Sequence, residues 1–136
     1  MKFAFTIIAL AYFALAASCP ATTAGQTVSP GQESELAPGQ TVTIAGTGLS
    51  LRFVEIVADS RCPTGVQCIW AGEASALVEI SYQDSVNQRV LTVPGSSTGQ
   101  AAFNDFTFIY QIEPYPQYPK TINRQDYRLR ITVTKP

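Results

Sequence analysis

The chain has 136 residues, with 9 basic and 10 acidic side chains, no histidine and a formal net charge of −1. That length fits one domain around a single core. Without a basic excess there is nothing to neutralise phosphates, which excludes nucleic acid as an expected partner, and without histidine the Ser-His-Asp and Cys-His catalytic constellations are absent.

The chain opens Met1-Lys2 and runs apolar from Phe3 to Ala17. One cation, a short apolar stretch and small residues before a cut site make residues 1–18 a secretory signal. The run falls short of the about 20 apolar residues that span a bilayer, so a transmembrane anchor is the weaker reading. Two cut sites compete. Leu15-Ala-Ala-Ser-Cys19 is like a bacterial lipobox, in which an acylated Cys19 becomes the new N-terminus, although Ala16 rather than Leu stands three residues before it. An Ala-x-Ala or Ala-x-Ser cut by ordinary signal peptidase is the rival. With Cys62 and Cys68 taken as a pair, Cys19 is the odd thiol of an exported protein, and acylation supplies its reason. The expected location is the membrane-anchored fraction of the cell envelope, with a soluble periplasmic or secreted protein as the alternative. Loss of residues 1–18 removes Lys2 and leaves 8 basic against 10 acidic side chains, a net charge of −2.

Residues 19–32 are small, polar and Gly/Pro-bearing, which predicts a flexible tether. The domain then occupies 33–136. Glu33 to Leu36 is a candidate first strand. Gln40 to Ala45 alternates, with Val42 and Ile44 on one face, between turns at Pro38-Gly39 and Gly46-Thr-Gly48. Leu49, Leu51 and Phe53 alternate next, but Val54 and Ile56 take the opposite parity. That switch predicts a bulge near Phe53 or a strand buried on both faces. Ala76, Val78, Ile80 and Tyr82 form another stripe. A hairpin-length connection, Gln83 to Asn87, leads into Arg89 to Val93, and Pro94 to Gly99 reads as a loop. Phe106, Phe108, Tyr110 and Ile112 make an aromatic stripe of period two. Tyr127, Leu129, Ile131 and Val133 alternate with polar residues in the cleanest half-buried strand. These short strands between Gly/Pro turns predict an all-β antiparallel sandwich of about seven strands.

Two segments fall outside this pattern. Glu113-Pro-Tyr-Pro-Gln-Tyr-Pro-Lys120 has three prolines that forbid regular ladder pairing, so it is expected to be extended and stiff. Asp59-Ser-Arg-Cys-Pro-Thr-Gly-Val-Gln-Cys-Ile-Trp-Ala-Gly72 holds two cysteines, the only tryptophan and an Asp/Arg pair. Export favours a Cys62–Cys68 disulfide, with Pro63 and Gly65 helping the short loop close. Two thiolates without histidine make a poor metal site, and no cofactor is expected. Trp70 is either a plug packed against the disulfide, the favoured reading, or an exposed anchor. Asp59 and Arg61 either pair with each other and with loop backbone, again the favoured reading, or face a partner. Asp59 and Glu73 flank the loop as carboxylates, with solvated side chains as the default reading.

The residues Asp59-Ser60-Arg61-Cys62-Pro63, Val66, Cys68 and Trp70-Ala71-Gly72 resemble a motif of small exported bacterial proteins and lipoproteins of uncharacterised function. The resemblance implies export, a β-rich domain and a disulfide loop, and it carries no activity or catalytic residue. The expected role is therefore a binding module rather than an enzyme. The candidate contact residues are Asp59, Arg61, Trp70, Tyr115 and Tyr118. The partner is expected to be an envelope protein or a glycan, with the membrane engaged through the lipid on Cys19. A secreted hydrolase inhibitor and a structural envelope component are the alternatives.

Overall fold

The computed structural model describes residues 25–136. The signal segment, Cys19 and the first part of the expected tether lie outside the described residues. Nine strands follow one another: β1 (Gln26–Val28), β2 (Glu33–Leu36), β3 (Thr41–Ile44), β4 (Leu49–Asp59), β5 (Glu73–Tyr82), β6 (Ser85–Pro94), β7 (Gly99–Phe103), β8 (Phe106–Glu113) and β9 (Arg128–Thr134). They form a five-stranded sheet in the order β1-β3-β4-β5-β6 and a four-stranded sheet in the order β2-β9-β8-β7. The two sheets enclose one core, so the expected all-β sandwich is the fold.

The period-two stripes supply that core. Leu49, Leu51, Phe53, Val78 and Ile80 from one sheet meet Phe106, Phe108, Ile112, Leu129, Ile131 and Val133 from the other, and all are buried. The parity switch in β4 is a bulge, as the sequence predicts. The register shifts once between Phe53 and Glu55 and again between Ile56 and Ala58. Each shift inserts an unpaired residue. Phe53, Ile56 and Asp59 therefore lie opposite Val78, Ala76 and Ala74, all three of them core residues. The second bulge is what turns Asp59 inward.

Three features differ from the sequence reading. The expected tether ends earlier than Gln32, because Gln26–Val28 pairs in parallel with β3 and buries Val28. Gly99–Phe103 is a strand where no stripe is visible. With β1 it raises the count from seven to nine. The β5–β6 connection is shorter than expected: Tyr82 pairs with Ser85, and Gln83 and Asp84 form the turn with φ of 48° and 61°. Positive φ at both central residues matches the right-handed twist of the flanking strands.

Strand directions decide what gathers at each end. β4, β6 and β8 all run toward one pole, which carries residues 60–72, 95–98 and 114–127 as its loops. The Cys-Trp segment and the proline segment thus leave opposite sheets at the same pole.

Candidate functional site

The pole is organised by a buried ion pair. Arg61 Nε donates to Asp59 Oδ1 at 2.8 Å and Arg61 Nη2 to Asp59 Oδ2 at 2.7 Å, a bidentate pair with side-chain exposures of 2% and 9%. The same guanidinium crosses to the facing sheet. Nη1 donates to the Ile112 carbonyl at 2.7 Å and Nη2 to the Pro114 carbonyl at 3.0 Å. Tyr127 donates its hydroxyl to Asp59 Oδ2 at 3.0 Å. Arg61 therefore ties β4, the end of β8 and the start of the proline segment together. Such a bidentate, fully hydrogen-bonded geometry is what a buried charge pair requires. Burial alone would raise the Asp59 carboxyl, but the bonds and charge of Arg61, with the Tyr127 hydroxyl, outweigh it and hold that carboxyl below the ordinary range. Burial, then the Asp59 carboxylate, push the Tyr127 hydroxyl up to about 12.

Above this pair stands the ring closed by the Cys62–Cys68 disulfide, with the two Cα atoms 5.9 Å apart. The Cys62 amide donates to the Ala71 carbonyl at 2.9 Å, which closes the neck of the loop. At Gly72 the backbone has φ of +69°, and a Cβ there would overlap the Ser60 carbonyl. Only glycine lets the returning chain pass this close.

The proline segment is clamped to the ring. Thr64 and Gln117 form an isolated parallel bridge. The Thr64 amide donates to the Pro116 carbonyl, and the Tyr118 amide to the Thr64 carbonyl, both at 3.0 Å. Tyr115 donates its hydroxyl to the Cys62 carbonyl at 2.8 Å, and its ring lies 5.2 Å from the Arg61 guanidinium carbon. The prolines still leave every amide this bridge needs, since the donors are Thr64 and Tyr118.

These contacts sort the candidate residues. The side chains of Asp59 and Arg61 are buried and pair with each other and with backbone, as the favoured reading of them has it. Asp59 is also not the solvated carboxylate expected of a loop. Tyr115 is half-buried beneath the ring and positions it. Tyr118 is 68% exposed. For Trp70 the favoured reading is corrected: the indole is 81% exposed and does not plug the core. The inward space at this end of the sandwich is filled by the Arg61 side chain, which leaves a tryptophan on the loop only the solvent side. Ile69, at 92% exposure, and the exposed Val66 belong to the same surface and carried no separate signal in the sequence. Adjacent Ile69 and Trp70 both point out because the segment is loop, with no sheet to bury alternate residues. Beside the clamp, a groove of about 200 Å³ is lined by Asp59, Pro63, Pro116, Lys120, Ile122 and Tyr127.

Comparison of the chain with protein-family models, with curated proteins and with solved structures finds no match.

Proposed function

We propose that the chain is an exported, lipid-anchored binding module of the cell envelope, and that the disulfide pole is its contact surface. One observation carries this reading. Val66, Ile69, Trp70 and Tyr118 are exposed on segments fixed by a disulfide, a buried ion pair and a backbone bridge. Solvent-facing apolar side chains gain nothing for the fold, and large aromatic residues on a preordered loop are what binding surfaces use. The resemblance of the Asp59–Gly72 motif to exported bacterial proteins supports the location. The chain is read as non-enzymatic because no histidine-based acid, base or nucleophile pair is encoded.

The test is capture from envelope fractions with the full chain as bait. Trp70→Ala and Tyr118→Ala are expected to lose captured material while keeping the wild-type circular dichroism. Undiminished capture by both variants would end the reading. The convex, neck-clamped loop also favours a second reading, a hydrolase inhibitor whose preordered loop enters a cleft. A panel of proteases, with inhibition lost in Trp70→Ala, separates the two.

A further inference from the structure

The contact surface just proposed lies within reach of the position read as the membrane anchor. Gly25 lies level with Thr41, since Gln26 pairs with Val42, and Thr41 is level with Arg52 and Glu79. β1 runs parallel to β3, away from the disulfide pole, so Gly25 stands at the pole-facing end of that strand. From the Glu79 level to Ala74, the partner of Asp59 at the base of the pole, β5 advances five residues, about 17 Å at the usual rise of a strand. Cys19 precedes Gly25 by six residues, which reach about 20 Å at full extension. A lipid on Cys19 therefore leaves a tether long enough for this pole to meet the bilayer surface.

The chemistry of the pole agrees with that position. Between Arg61 and Glu73 there is no charged residue, and between Glu113 and Lys120 there is none either. The most exposed large apolar side chains of residues 60–72 are Ile69 and Trp70, with Tyr118 beside the clamp. Trp and Tyr favour the headgroup level of a membrane, where the ring is apolar and its polar edge stays wet.

We propose that the Ile69–Trp70 tip docks into the interfacial layer of the lipid bilayer and so fixes the domain, disulfide pole down, on the membrane that holds its anchor. This rests on the reading of the pole as a contact surface and of Cys19 as the lipid site.

Trp70 is the only tryptophan of the chain, so its emission reports this site alone. The full chain is incorporated into phosphatidylcholine vesicles whose acyl chains carry bromine near the headgroups. The expected result is emission shifted to shorter wavelength than in Ile69→Asp, quenching by the brominated lipid, protection from aqueous iodide, and no change with added salt. Ile69→Asp is expected to return Trp70 to iodide access while the chain still floats with the vesicles. Iodide-accessible Trp70 without lipid quenching, on wild-type chain that floats, overturns the proposal, and so does a chain that fails to float. If a solubilised envelope protein then shields Trp70 from iodide, the contact surface stands with a protein as its occupant. If neither lipid nor envelope extract shields it, the contact surface itself is lost as well.

Discussion

Substituting Arg61 with methionine removes the guanidinium and leaves the Asp59 carboxylate inside the sandwich. The paired side chains are 2% and 9% exposed, so solvent cannot replace the lost partner. Breaking a buried pair from one side costs about 3–5 kcal/mol, a large part of the about 5–15 kcal/mol that holds a domain together. The Ile112 and Pro114 carbonyls also lose their Arg61 donors. At a urea m-value of about 1–3 kcal/mol/M, the midpoint of unfolding should fall by at least about 1 M in Arg61→Met, followed by far-ultraviolet circular dichroism. The pH dependence gives an independent reading. In the native pair the Asp59 carboxyl sits below its ordinary value, so its contribution is present above that value and is lost as pH falls through the depressed one. In Arg61→Met burial, the largest influence, is opposed only by the Tyr127 hydroxyl bond, and the carboxyl is raised. The variant should then be most stable below the ordinary carboxylate value and lose stability as pH rises through the raised one. A double variant, Asp59→Leu with Arg61→Met, should recover most of the loss, because an apolar pair leaves no charge to desolvate. An Arg61→Met protein within about 1 kcal/mol of wild type, the upper edge of what surface pairs are worth, with an unchanged pH profile, would refute the claim that this pair holds the pole.

Gly72→Ala should destabilise by about 2–4 kcal/mol, from a Cβ forced against the Ser60 carbonyl plus positive φ, and urea titration measures it; a neutral variant would mean the neck is loosely packed. The Tyr127 hydroxyl, pushed up to about 12 from 10.0, contributes stability that is fully present below pH 10 and is lost as pH rises through about 12. Tyr127→Phe should flatten that alkaline limb, which an unfolding series in pH reads directly. Trp70→Ala should leave urea stability within about 0.5 kcal/mol of wild type, as an exposed substitution does; a loss above about 2 kcal/mol would return the indole to the core.

The inner strands are legible in the sequence because each carries several inward apolar residues at period two. β8 and β9 lie side by side and present Phe106, Phe108, Tyr110 and Ile112 with Leu129, Ile131 and Val133 as one apolar face, which the other sheet covers. β1 and β7 escape notice for the opposite reason. Val28 is the only buried apolar side chain of β1, and Gly99–Phe103 buries only Gly99 and Phe103. Glycine is needed at position 99 because a Cβ there would overlap the Tyr110 ring, which lies across it. That requirement is invisible without the partner strand. At the pole, the residue types of Asp59, Arg61, Cys62 and Cys68 announce their pairing. The exposure of Trp70 could not be read, since it depends on Arg61 filling the space beneath the ring. Nor could the meeting of the ring with the proline segment, which depends on β4 and β8 ending at one pole of opposite sheets.

Hydrogen exchange at the pole is the sharpest check on a contact surface built before any partner arrives. The amides of Cys62, Thr64 and Tyr118 donate to the Ala71, Pro116 and Thr64 carbonyls, although all three lie on loops. A prebuilt pole predicts that they exchange as slowly as nearby sheet amides, and that reduction of the disulfide releases Thr64 and Tyr118 first. Exchange of these amides at the rate of open loops, with the disulfide intact, would contradict it.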